Sequence, residues 1–257
     1  MRGTIPTLAV TVRMSQRCRT FRVPLRRAGV ARWLGGVLVV AAGCASGTPA
    51  ANTPASQPTP PAVDAALERE AVAATALRQP VQLVFDWNLR DRDARFGGRG
   101  SARAEPEYKA RLDLFGPRGE GYFSAAVVDT TLRVPAAVAE RVPVPPPALL
   151  WSTLGVLHPP ADARLTATRR EGAETRLEYT RGDERWRFTL EGRRLRRAEL
   201  DRSGGRQTVE LKGTAELGLP KQAVYRDYAA FRELTLTLDH ANAAQPFPPD
   251  TWTPGAR

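Results

Sequence analysis

Few side chains in this sequence are placed to do chemistry. Its 257 residues include two cysteines, Cys18 and Cys44, and two histidines, His158 and His240. A protease-type zinc site would need HExxH, with both histidines on one helix face and a glutamate between them; the motif does not occur. His158 sits beside Pro159 and His240 closes a strand-like run, so each reads as a surface or cap residue. GxSxG, the strand-to-helix turn that exposes a nucleophilic serine, is also missing. Phe96-Gly97-Gly98-Arg99-Gly100 lacks the Lys-Ser/Thr of a phosphate-cradling loop and reads as a hairpin loop between strands. Glu68 and Glu70, and Asp91 and Asp93, read as solvated faces or turns. Arg193-Arg194 and Arg196-Arg197 flank a strand. They read as charges on the wet face of a sheet, with contact to anionic lipid or an acidic partner as the alternative. These residues point to no metal, no cofactor and no catalysis.

Cys44 has a more specific setting. Residues 1–43 carry eight arginines and no Asp or Glu, and after Arg32 comes the apolar run WLGGVLVVAAG. Such a basic stretch, apolar run and small-residue boundary make a secretory signal. The run is shorter than the roughly 20 apolar residues of a transmembrane helix. A start at Met14 would give a more usual signal length than one at Met1. The boundary Ala41-Ala42-Gly43-Cys44 resembles the bacterial lipobox, whose cysteine is lipidated and becomes the mature N-terminus. Ala41 stands where Leu is usual, and a plain secretory signal cut nearby is the alternative. ASGTPAANTPASQPTPPA follows, a composition that builds no core and serves as a flexible tether. Acyl chains such as palmitate on Cys44 would hold the protein at a membrane, at about 0.8 kcal/mol per buried CH₂. The expected organisation is a signal over 1–43, anchor and tether over 44–63, and one domain over 64–257. Eight of the formal +11 charges lie in the signal, leaving +3 for the rest, so the basic balance does not argue for nucleic acid. With Cys18 in the signal and Cys44 at the anchor, the domain has neither a disulfide nor a thiol nucleophile.

The domain is organised around VPVPPPALLWSTLGVLHPP, Val142 to Pro160. Prolines close both ends, and Leu149, Leu150, Trp151, Leu154, Val156 and Leu157 leave it apolar nearly all round. A short helix of that kind must be buried on most sides. It reads as a plug inside a curved sheet, or more plainly as a core helix of an α+β domain. Asp64 to Arg78 is an Ala-rich helix candidate with Asp64 as its cap. Val81 to Arg90 alternates, with Val81, Leu83, Phe85, Trp87 and Leu89 on one face. Alternation returns at residues 100–106, 108–115, 122–128 and 131–134. After the plug it resumes at 164–169, 175–181, 185–190, 195–201, 207–212 and around Leu234, Leu236 and Leu238. Short turns between such runs predict an antiparallel meander with one dry and one wet side. Trp252 is expected to tuck the irregular tail back.

The order of lipobox, Pro-rich tether, helix, meander containing RLDLFGPRGEGYFSAAVVD, Pro-bracketed PPPALLWSTLG, WRFTLEGRRLRRAEL and late strands resembles the LolA/LolB superfamily of periplasmic lipoprotein carriers and receptors. The likeness covers roughly residues 64–254. It implies an α+β, mainly antiparallel β fold: an unclosed, half β-barrel wrapped around one or two short helices. It also implies an apolar cavity for lipid or lipoprotein acyl chains. The lipid anchor aligns the chain with the anchored receptor LolB rather than the soluble carrier LolA, making a periplasmic carrier protein a possible partner. Ala45 after Cys44, where an Asp would favour inner-membrane retention, points to the periplasmic face of the outer membrane, with the inner membrane as the alternative. Val81, Leu83, Phe85, Trp87, Leu112, Leu114, Trp186 and Phe188 are expected to line the cavity, facing Trp151 and Leu154 of the plug. The competing expectation is a structural or signalling envelope lipoprotein whose barrel is filled by its own plug and which binds protein partners.

Overall fold

Alternation in the sequence becomes one antiparallel sheet. The computed structural model describes residues 63–135 and 144–255. Cys44, the signal and most of the tether lie outside the described residues. The first block holds β1 (Val81–Asp91), β2 (Ala94–Glu105), β3 (Lys109–Phe115), β4 (Gly121–Val128) and β5 (Thr131–Arg133). The second holds β6 (Arg164–Glu171), β7 (Glu174–Arg181), β8 (Glu184–Glu191), β9 (Arg194–Arg202), β10 (Gly205–Lys212), β11 (Gln222–Asp227) and β12 (Arg232–Ala243). Each block is a meander, and the two join where β1 pairs with β12, from Val81↔Ala243 to Asp91↔Arg232. The free edges are β5 and β6. The sheet is therefore an unclosed half-barrel, and the chain passes from one edge to the other through the helical segment between them. Three-residue β5 and the Arg- and Thr-rich β6 are edges of the short, charged kind that resists pairing with other chains.

Among the described residues two short α-helices pack with the sheet. In α1 (Ala65–Thr75) the Asp64 side chain accepts from the Ala66 and Leu67 amides, and Leu67 and Ala71 are buried. Tyr179 of β7 donates to Glu68 across this contact, 2.9 Å. Burial, and then that carboxylate, raise the phenol's pKa. The plug helix is α2 (Pro147–Thr153).

The dry side divides into two apolar clusters. One gathers Leu67, Leu149, Leu157, Tyr179, Trp186 and Phe188 with their neighbours on β7–β11. The other gathers the β1 residues with Ala102, Leu114, Phe123 and Trp151. Leu234 and Leu236 of β12 pack against both.

The wet side of β7–β12 is a ladder of ion pairs. Arg187 meets Glu178 and Glu199, Arg197 meets Glu199 and Glu210, and Arg226 meets Glu210 and Glu233. Arg206 also bonds Glu199. Burial opposes the Glu199 charge, but hydrogen bonds from Arg206 and Arg187 and the charge of Arg197 prevail and hold its carboxyl below the usual value. Over β3 the tail covers this side: Arg111 grips Asp113 and donates to the Thr251 carbonyl, and Trp252 is buried.

Two sequence expectations change here. The glycine-rich run is not a hairpin loop; Gly97, Gly98 and Gly100 lie in β2, and the turn is Arg92-Asp93. The glycines make room for β1's rings and a neighbouring strand. A Cβ at Gly100 would stand 2.3 Å from the Phe85 ring, and one at Gly98 2.0 Å from the Phe115 carbonyl oxygen. That carbonyl and the Arg99 carbonyl both accept from the Trp87 indole, at 2.9 and 3.1 Å. The structure also adds β11, whose Ala223 and Tyr225 face the core.

Candidate ligand-binding site

α2 crosses the concavity, and its ends are set by local chemistry. Pro147 occupies the first turn, where a missing N–H costs nothing. The C-terminus closes with a Schellman pattern. The Gly155 amide donates to the Ser152 carbonyl at 2.9 Å and the Val156 amide to the Trp151 carbonyl at 3.2 Å. Gly155 takes φ of +79°, the left-handed conformation this pattern needs.

Each side of α2 meets a different environment. Ala148 and Leu149 pack into the β7–β11 cluster. Trp151 packs into the β1–β4 cluster, and its indole donates to the Asp129 carbonyl at 2.9 Å. Leu150, Thr153 and Leu154 remain half-buried.

Packing is incomplete beside those three residues. A cavity of about 120 Å³ lies between Leu112, Leu114 and Phe123 of the sheet, Leu234 and Leu236 of β12, and α2. Among the described residues its charged boundary is Asp91 with Arg232, a pair bonded at 2.5 Å. Two further voids of about 30 Å³ both touch Leu112, Thr153 and Leu154. Leu154 also lines a wider recess of about 540 Å³ at the end of the barrel where β1 and β9 begin. A single water occupies roughly 30 Å³ of liquid, and sites for small molecules run from roughly 300 to 1,000 Å³. The recess is thus ligand-sized, whereas the inner cavity holds only a short stretch of chain.

No family model and no curated protein matches the sequence. Solved structures do match. A LolA superfamily protein from Nitrosomonas europaea aligns over 75% of this chain and 98% of its own, with TM-score 0.52 and 14% identity. The chain has the LolA fold. Weaker likenesses are a domain named for outer membrane lipoprotein sorting from Vibrio parahaemolyticus and a DUF1329 family protein from Desulfovibrio piger. The first has TM-score 0.42 and 8% identity over 72% of this chain and 94% of its own; the second has 0.46 and 8% over 75% and 98%.

Within this LolA-like barrel the ten expected lining residues have different environments. Val81, Leu83, Phe85, Trp87, Leu114 and Trp151 are buried members of one cluster, and Leu112 and Leu154 lie partly exposed against it. Trp186 and Phe188 belong to the other cluster, fully buried with rings stacked at 6.4 Å, and line none of the cavities described. The ten thus fall into two clusters, and α2 supplies apolar residues to both. Thr153 and the Asp91–Arg232 pair at the cavity were not anticipated. Asp91 and Arg232 are joined by the β1–β12 pairing, which brings together residues 141 apart in the chain.

His158 also departs from the sequence reading. Its side chain is 14% exposed, its ring stacks on Tyr108 at 3.8 Å, and Nε2 lies 2.8 Å from the Asp129 carboxylate. Burial lowers its pKa, against the hydrogen bond and charge of Asp129, which act to raise it. Among the described residues no group of three or more His, Cys, Asp or Glu could hold a metal ion. Among the same residues no helix is long and apolar enough to cross a membrane.

Proposed function

We propose that this chain is a membrane-anchored periplasmic lipoprotein that takes acyl chains, of lipids or of lipoproteins, into the concavity beside α2. Under-packing around Leu112 and Leu154 carries the reading. A period-two apolar face normally closes completely on its partner. Here Leu149 is buried and borders none of these spaces, Leu83 and Leu114 are buried and border one each, while Leu112 and Leu154 border three each. The LolA fold supports the same assignment. The lipobox at Cys44 would supply the anchor, and Ala45 after it favours the periplasmic face of the outer membrane. A soluble carrier that hands over lipoproteins is a fitting partner.

One observation favours a second reading. Leu149, Trp151 and Leu157 are completely buried, so the plug already fills much of the barrel. Such a molecule could instead act as a structural or signalling lipoprotein that binds protein partners. Native mass spectrometry of the purified chain separates the two. The acyl-binding reading expects non-covalent lipid at near-stoichiometric amounts, beyond whatever is attached at Cys44. Absence of such lipid, with no uptake of an added acyl probe, would favour the filled barrel.

A further inference from the structure

The recess of about 540 Å³ has a composition that the acyl-binding reading does not use. Its lining includes Arg78, which follows α1, and Arg193, Arg194 and Arg196 at the β8–β9 turn, but no Asp or Glu among the described residues. Arg196 is paired with Glu191 at 2.5 Å, and among the described residues Arg194 donates only to the neutral Thr214 hydroxyl at 2.9 Å. Arg78 and Arg193 have no hydrogen-bond or ion-pair partner among the described residues. On the wet face of the sheet the comparable Arg187, Arg197, Arg206 and Arg226 each meet a carboxylate. Beneath the arginines the wall is apolar, with Leu77, Leu195, Leu211 and Leu219, and it ends at Leu154, which also borders the inner voids.

Cations above an apolar floor match a molecule with an anionic head and a hydrocarbon tail. We propose that this recess binds the phosphate of an anionic phospholipid, with the acyl chain directed past Leu154. The planar guanidinium fork suits phosphate oxygens, and two arginines without partners among the described residues have donors to offer it. The proposal rests on the acyl-binding reading and adds to it the class of headgroup.

The test titrates the full chain with three single-chain probes carrying the same labelled acyl group: a neutral monoacylglycerol, a zwitterionic lysophosphatidylcholine and an anionic lysophosphatidylglycerol. The expected result is an anionic probe bound about tenfold tighter than the neutral one at low salt, the preference shrinking as ionic strength rises. In Arg78→Gln/Arg193→Gln the ratio of anionic to neutral affinity should fall close to one, while Arg193→Lys, which keeps the charge but not the fork, should give an intermediate ratio. Equal affinities in the wild type would overturn the headgroup proposal and leave the acyl reading standing. Failure of all three probes would overturn both. Inorganic phosphate supplies the last arm. If it displaces the anionic probe beyond what sodium chloride does at matched ionic strength, the recess is a free-phosphate site and the phospholipid assignment fails. If it matches sodium chloride, the assignment stands.

Discussion

Leu154→Glu tests whether the space beside α2 is a binding path or unfinished core. Leu154 is the residue that ends α2, half-buried, and it borders the wide recess as well as two of the inner voids. Fully burying a leucine is worth about 1.5–3 kcal/mol, so its partial burial contributes about 1–1.5 kcal/mol. A glutamate there can turn its carboxylate into the recess and remain hydrated, so the several kcal/mol of charge burial does not arise. The expected loss of stability is therefore about 1–1.5 kcal/mol, or about 2–6 °C in Tm for a domain of this size. Leu149→Ala is the contrasting variant. Leu149 is completely buried, and its truncation should cost about 2–5 kcal/mol. Uptake should behave in the opposite way. A neutral acyl probe must pass the new carboxylate, and its affinity should fall by about tenfold or more in Leu154→Glu, equivalent to about 1.4 kcal/mol. Thermal unfolding by circular dichroism and probe titration by fluorescence read the two effects separately. A Leu154→Glu protein destabilised as much as Leu149→Ala would refute the argument, since Leu154 would then be ordinary core. Unchanged uptake in a folded variant would refute the path.

Four further outcomes are expected. Glu199→Gln should destabilise the domain by about 2 kcal/mol at neutral pH, because it leaves Arg187, Arg197 and Arg206 around an uncharged centre. Since the Glu199 carboxyl is held below its ordinary 4.5, its contribution is present above that pH and lost as pH falls through the lower folded value. The deficit, followed by urea melts, should shrink in acid; a deficit equal at about pH 7 and about pH 3 would contradict the ladder argument. For His158 the folded pKa lies below the ordinary 6.5, so protonation favours the unfolded chain; stability should decline as pH drops below 6.5 and level off beneath the folded value. His158→Phe should flatten that part of the Tm–pH curve, and an unaltered slope would assign it to other groups. Gly100→Ala should cost about 1–3 kcal/mol through collision with Phe85, whereas Gly121→Ala, with nothing within 4 Å of the new methyl, should cost far less. Cys44→Ser should abolish incorporation of a fatty-acid analogue and release the protein from membranes, and persistent labelling would rule out the lipobox.

Strand faces were legible because period-two alternation determines which side chains share a side. Val81, Leu83, Phe85 and Trp87 could be assigned to the dry side from four alternate positions, and a one-residue slip would have exposed all of them. Asp64 as a cap was legible for a similarly local reason. The N-terminal half of β2 was not. Glycine ordinarily weakens a strand and suggests a turn, yet here its missing Cβ is what the neighbouring Phe85 ring and Phe115 carbonyl require. That requirement comes from residues on other strands, which no window around Gly98 contains. β11 was hidden differently: six residues beginning just after Pro220 and Lys221 carry too little alternation, and their strand state is decided by pairing with β10 and β12.

The same distinction explains what could be read of the site. Alternation says that Leu112 and Leu114 point inward, and it says this identically for both. Yet Leu114 is buried and borders one void, whereas Leu112 is half-buried and borders three. The difference arises from where α2 lies across the sheet: its Trp151 fills one cluster and its Leu149 the other, and between those two anchors Leu150, Thr153 and Leu154 are left facing incompletely filled space. Facing is a property of one strand and repeats every second residue. Packing volume is a property of three elements meeting, and a Pro-bracketed helix of seven residues has few ways to satisfy all its neighbours at once. A helix one turn longer could have closed the gap with another leucine. Because the Schellman turn at Gly155 ends it, the space between plug and sheet stays open at Leu154, the residue whose substitution most directly asks what enters there.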